Sequence, residues 1–337
     1  MFKTVLLISL IIIIIISVIK FYLTNNFINE KFNNYDNILY FSLFIKNNKI
    51  YMISPIYNTP FKSKKLYIYN NNSDKLNLYK EHIKNEYEPI HILIFDSSLL
   101  TNNIKIIYNN IIFKTIVPKK FDLEYYGELA ITTLFKYDYK LFNIFYDYYT
   151  KQGVSKFYMY YNGKLNNDII NLFNKPNVIL LEWNFKYWNK NTKFKHHAQL
   201  GQMHDALFKY GKDNHNYMIF CDLDEYLYIN NNTTLLKYIN NNSNVNCFGF
   251  NNYFAKTLDE KIPNVLPKNF LIGKKFKYTN RSKNIYKTNT IDLLNIHHPK
   301  KFNISNPKSI NNLYMFHFQS WSNRNNKNIN NKIFINY

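Results

Sequence analysis

The chain has 337 residues and a formal charge of +21, with Asn at about one residue in six and few Gly, Ala or Pro. That length predicts one large domain with a second, smaller one, because single cores stop growing near roughly 250 to 300 residues. The lysines are scattered, not massed in a basic helix or block, which argues against nucleic acid as a partner. Cys221 and Cys247 are too few for a disulfide framework and read as buried apolar residues.

Residues 4–19 form an apolar run relieved only by Ser9 and Ser17, flanked by Lys3 and Lys20 and followed by Phe21-Tyr22-Leu23. It reaches about the 20 residues needed to cross a bilayer as a helix. No small-residue cleavage site follows it, so the reading is an uncleaved signal anchor over 1–24. The rest of the chain is then lumenal or extracytoplasmic, in a single-pass, type II arrangement.

Between residues 25 and 125 short β-rich runs recur at 38–45, 49–53, 66–69, 90–95, 104–107 and 111–117, broken by Asn, Pro and Ser. This predicts a stem and a small β-rich accessory domain. It has no clustered His or Cys and no Gly-rich phosphate loop, and no chemistry is assigned to it. From residue 126 to 325 strands and helices alternate, which marks an α/β layer fold. The expected elements are a strand at 129–135, a helix at 139–149 closed by Gly153, and strands at 156–161, 178–183 and 217–221. Helices are expected at 168–173 and at 198–210, the second ended by Gly211. A tail, 326–337, follows.

The last of those strands runs into Asp222-Leu223-Asp224-Glu225. On α/β sheets ligands bind at the carboxyl ends of strands. Carboxylates there need a cation or hydrogen bonds to compensate them. Mg²⁺ or Mn²⁺ meets that need with one or two carboxylates plus substrate phosphate oxygens. A strand followed by Asp-x-Asp also occurs in haloacid-dehalogenase-type phosphatases, with one Asp as nucleophile. There the motif opens the domain, whereas here about ninety residues of α/β pattern precede it.

Several ordered motifs resemble glycosyltransferase family 92. They are Leu134-Phe135-Lys136-Tyr137-Asp138, the helix from Phe142 to Tyr149, Gly153-Val154, and the strand ending Tyr160-Tyr161-Asn162. A strand closing on Trp183, a helix opening at Gln199, Asn295-Ile296-His297-His298-Pro299 and Met315-Phe316-His317-Phe318 complete the series. The chain departs from the family pattern at Tyr137, Ile144, Phe145 and Tyr149, so the carboxylate of the family's first helix is absent.

The resemblance implies a GT-A fold, a Rossmann-like mixed sheet with flanking helices, preceded here by the β-rich domain and the transmembrane helix. It implies a metal-dependent transferase that moves a hexose such as galactose from a UDP-sugar donor to a glycan or glycoprotein acceptor with inversion. By the same resemblance Lys136, Asp138, Asn162, Gln199, Asp205 and Asp222 contact the nucleotide-sugar. Asp222, Asp224 and His317 hold Mn²⁺ or Mg²⁺, with His297 and His298 as rivals to His317. A general base must reach the acceptor hydroxyl; Asp259 and Glu260 are the candidates, with Asp292 in reserve. Lys274, Lys275 and Lys277 are candidates for the diphosphate or simply a solvated face. Because the helix carboxylate is absent, a membrane-tethered, non-catalytic glycan-binding or partner-binding protein is the alternative.

Overall fold

The computed structural model describes residues 38–55, 66–70, 72–84, 90–97, 103–108, 111–122, 124–189, 196–259, 261–276, 281–297, 307–322 and 331–335. The membrane helix expected over 1–24 lies outside these residues. Among the described residues no helix is long and apolar enough to cross a membrane. The chain divides into two compact units, Met1–Phe121 with Trp188–His197, and Asp122–Tyr187 with Ala198–Tyr337.

The described residues of the first unit hold strands and no helix. Its strands are β1 (Ser42–Lys46), β2 (Lys49–Ser54), β3 (Leu66–Asn70), β4 (Leu78–Lys84), β5 (Ile90–Asp96), β6 (Ile104–Tyr108), β7 (Ile111–Ile116) and β8 (Lys119–Lys120). They form one sheet in the order β4-β5-β2-β1-β8 and another in the order β3-β6-β7. Lys46 pairs with Lys49 across a two-residue turn. Asn47 and Asn48 both take positive φ, 50° and 52°. Asn tolerates that region, and the turn matches the twist of the paired strands. Buried and half-buried residues alternate along β1 and β3, so each sheet offers one apolar face. Ile50, Met52 and Leu93 meet Ile68, Ile104 and Ile106 in a single core.

The sequence pattern did not reveal β4. It is an edge strand bearing Lys80, Glu81 and Lys84, and such strands carry charge that discourages further pairing. Later in the chain β12 (Trp188–Asn189) and β13 (His196–His197) form a short antiparallel ladder.

The second unit is mixed α/β. It begins with β9 (Gly127–Phe135), a 3₁₀ turn (Tyr139–Leu141), α1 (Phe142–Lys151), β10 (Lys156–Tyr161), α2 (Asn167–Leu172) and β11 (Val178–Glu182). Next come α3 (Ala198–Ala206), a π turn (Leu207–Gly211), β14 (His215–Phe220), β15 (Glu225–Ile229) and α4 (Leu235–Asn240). The unit ends with β16 (Cys247–Lys256), β17 (Asn269–Phe276), β18 (Asn284–Lys287), β19 (Pro307–His317) and β20 (Asn331–Phe334).

The helix expected at 139–149 therefore opens as a 3₁₀ turn and runs to Lys151. Gly153 follows it at φ 90°, where a Cβ would lie 2.5 Å from Leu236 Cβ. The helix expected at 198–210 is α-helical only to Ala206. All nine residues of α3 are buried, so it carries no amphipathic stripe to fix its end. Cys221 falls in the turn after β14 instead of closing the strand. Both cysteines are buried and unbridged.

One sheet runs in the order β11-β10-β9-β14-β18-β16-β17-β20, with β19 joining β15 to β16. β10 and β14 flank β9, and both pairings are parallel. The chain thus moves outward from β9 to β11, then crosses back to lay β14 on the other side of β9. Phe220 pairs with Thr132, so the carboxyl ends of β9 and β14 lie side by side. At such a reversal of strand order the emerging loops part and leave a crevice.

Candidate functional site

The chain leaves β14 at Cys221 and turns through Asp222-Leu223-Asp224 into β15. The turn closes on itself: the Glu225 backbone N–H donates to the Asp222 carbonyl at 3.1 Å, and the Asp222 N–H donates to Glu225 Oε2 at 2.7 Å. Two adjacent tyrosines of α1 hold it from beneath. The Tyr149 hydroxyl donates to the Glu225 carbonyl at 2.9 Å and accepts from the Leu227 N–H at 3.0 Å. The Tyr148 hydroxyl donates to the Leu227 carbonyl at 2.7 Å. Tyr149 stands where the resemblance expects His, and its role here is to fix the backbone of the turn.

The far wall comes from the C-terminal part of the chain. β15 and β19 run antiparallel with Glu225 opposite His317, and the Phe318 N–H donates to the Asp224 carbonyl at 2.8 Å. That register sets His317 Nε2 3.3 Å from Asp224 Oδ2, and Nδ1 3.7 Å from Glu225 Oε1. Both Asp224 and His317 are buried. Burial by itself would lower the imidazole pKa, but the charge and hydrogen bond of Asp224 outweigh it and raise it.

Asp222 faces different partners. Its Oδ1 accepts from Gln199 Nε2 at 2.8 Å, and the Tyr187 hydroxyl donates to Gln199 Oε1 at 2.9 Å. Its Oδ2 meets Lys283 Nζ at 3.1 Å, and the same ammonium lies 3.4 Å from Glu225 Oε2. Lys283 is buried. Desolvation disfavours its charge, yet Asp222 and Glu225 more than reverse this and push its pKa up. Burial raises Glu225 to about 7, against the opposing pull of Lys283.

Asp138, just past the end of β9, is half-buried. Burial, then the negative charge of Asp224 and, more weakly, of Asp222, raise its carboxyl to about 6. These couplings place Asp138 in the same field as the acidic turn. Gln199, Asp222, Asp224 and His317 thus meet at the turn after β14, and Asp138 follows the neighbouring strand β9.

Other predicted residues serve elsewhere. Asp205 is buried in α3, where it accepts from the Tyr160 hydroxyl and pairs with Lys209, both at 2.7 Å. Asn162 uses its amide to bind the carbonyls of Trp183 and Phe185. Lys136 lies 5.2 Å from the centre of the Tyr137 ring, and its N–H donates to Asp138 Oδ1 at 3.3 Å. Asp259 is exposed on the turn after β16 and accepts from the Lys261 N–H; the hydrogen bonds that knit the acidic turn do not include it. Asp292 is paired with Lys212 at 2.8 Å. The His297 carbonyl accepts from Ser282. Glu260, Lys277 and His298 lie outside the described residues, as do the side chains of Lys274 and Lys275.

The sequence reading missed Lys283. A single lysine ahead of a short strand carries no local sign of burial.

Among the described residues no three His, Cys, Asp or Glu side chains stand at the spacing of a formed metal centre. The donor chemistry nonetheless fits a divalent ion. Asp224 and His317 offer a hard oxygen and an imidazole, which suit Mn²⁺, and such ions complete their shell with water and substrate oxygens. Four carboxyl groups surround the turn, against the Lys283 ammonium and the His317 ring, which would have to give up its proton to hold the ion.

The model of Glycosyltransferase family 92 matches residues 129–335. No curated protein matches the chain. Among solved structures, the crystal structure of HddC from Yersinia pseudotuberculosis is similar at 12% identity, covering 59% of this chain and 97% of that one, with a TM-score of 0.35. The family match extends from β9 to the end of β20 and takes in the whole acidic turn together with His317, and the chain belongs to glycosyltransferase family 92.

Proposed function

We propose that the chain is a GT-A-type transferase that moves a hexose from a UDP-sugar to a hydroxyl of a glycan or glycoprotein, with inversion. The observation that carries this reading is the β15–β19 register. It seats His317 against Asp224 beside the carboxyl ends of β9 and β14, where α/β sheets bind nucleotides.

In this reading Asp224 and His317 hold Mn²⁺ or Mg²⁺, which when bound neutralises the charge gathering on the departing diphosphate. Asp222, fixed by Gln199 and Lys283, and Asp138 face the nucleotide-sugar. Lys136, whose N–H donates to Asp138, is assigned to the nucleotide-sugar with it. A carboxylate takes the acceptor hydroxyl proton as that oxygen bonds to the anomeric carbon. The bond to the diphosphate breaks on the opposite side, and UDP leaves with its electron pair. Asp259 or Glu260 is assigned that proton; an Asp259→Asn variant that keeps its kcat removes Asp259 from the role, since a general base contributes about 10²- to 10⁴-fold. Residues 1–24 are proposed as the membrane anchor, with both units on the lumenal or extracytoplasmic side. Resistance to alkaline extraction, lost on deletion of 1–24, tests this.

The central experiment is UDP release from a panel of UDP-hexoses, UDP-galactose first, with and without Mn²⁺. The His317→Ala variant should lose the Mn²⁺ response. Release that is equal with and without metal would remove the metal from the reading, and failure to bind any UDP-sugar would favour the non-catalytic alternative.

A further inference from the structure

Lys283, just ahead of β18, sends a buried ammonium to the turn that the proposed function assigns to metal and donor. Its ammonium bridges Asp222 Oδ2 and Glu225 Oε2. Glu225 Oε2 also accepts the Asp222 N–H, and Asp222 Oδ1 is taken by Gln199. Both carboxylate oxygens of Asp222 are thus committed to protein donors, while Asp224 turns the other way, to His317. The two aspartates of the motif are divided between two basic side chains, Lys283 and His317.

We infer that Lys283 is a resident counter-cation: it neutralises Asp222 and Glu225 from within, so that the exchangeable divalent ion is held by Asp224 and His317 without Asp222, and it adds positive charge facing the donor diphosphate. This rests on the metal reading above. A bulk stabilising role would not predict its signature, which is an opposite effect on two ligands. Removing one buried positive charge strengthens attraction for a cation and weakens it for an anion.

The test is isothermal titration of wild-type and Lys283→Met protein, first with Mn²⁺ alone and then with UDP in the presence of saturating Mn²⁺. The variant should bind Mn²⁺ about ten-fold or more tightly than wild type and UDP about ten-fold or more weakly. A folded variant that loses affinity for both, or changes neither, overturns the inference. If Lys283→Met does not fold, the double variant Lys283→Met/Glu225→Gln removes one charge of each sign. It should fold and bind Mn²⁺ as wild type does; a double variant no better folded than the single one also overturns the inference. Absence of Mn²⁺ binding by wild type defeats the metal reading separately. In that event Mn²⁺ binding gained by Lys283→Met supports the counter-cation, and none gained removes it.

Discussion

The two units bury different chemistry. The first packs aliphatic side chains from two sheets, Ile50 and Met52 against Ile68 and Ile106, and its buried His91 pairs with a half-exposed Glu81 at its edge strand. The second buries aromatic rings beside ionised groups: Tyr149 and Tyr226 near Glu225, Asp205 under Tyr160, Lys283 between two acids. Apolar burial is non-directional and survives small changes of shape. Buried charge is stable only while each partner remains in place. The second unit, which also has the larger apolar core, adds a set of buried charge pairs whose partners must stay in place.

Breaking a pair should therefore have the largest effect. Asp205→Ala leaves Tyr160 and the nearly buried Lys209 without their acid, and should cost the second unit about 3–5 kcal/mol in chemical denaturation. Asp224→Asn preserves shape but removes a charge, so the fold should persist while transfer falls about 10²- to 10³-fold, about 3–4 kcal/mol, with Mn²⁺ affinity lost alongside. A loss of fold instead would place Asp224 with the structural pairs.

Asp138 gives the pH dependence. Its folded carboxyl lies near 6 against an ordinary value of 3.8. Below about pH 3 it is protonated in both states and has no effect. As the pH rises towards 6 the unfolded chain gives up the proton more readily, so metal-free protein loses stability through that window. Asp138→Asn removes its share of the loss and leaves that of Glu225, whose carboxyl is also raised. In chelator the variant should match wild type near about pH 3 and exceed it near about pH 7.5 by up to about 3 kcal/mol, less for the partial exposure of Asp138. Added Mn²⁺ should narrow the difference.

Tyr149→Phe keeps the ring and deletes the hydroxyl that serves two backbone groups of the acidic turn. It should cost about 1–3 kcal/mol and loosen donor binding, seen as a raised KM in UDP release. The smallest effect belongs to the first unit: Ile68→Val should cost about 1 kcal/mol and leave Mn²⁺ binding unchanged. A change in Mn²⁺ binding there would break the distinction between the units.

Much of this was legible in the chain itself. The β-rich runs that became β1 and β3, Gly153 after α1 and the apolar run of β14 are local signals, because they are written into neighbouring residues. The acidic turn announced itself as three carboxylates after a buried strand, and the ordered motifs carried the family. What the sequence could not show is which distant side chains complete the turn. His317 was nominated by resemblance, but its distance from Asp224 comes from the pairing of β15 with β19. Lys283 carried no mark of burial, since burial is a property of what packs around it. Asp205 and Asn162 had the right chemistry for a donor site and were spent on Lys209, Tyr160 and two backbone carbonyls, because the sheet brings those groups nearer. Residue type and spacing determined the elements and the place of the site. Strand register and the order of strands across β9 decided which charges meet there, because pairing is a long-range choice that a one-residue slip would reverse.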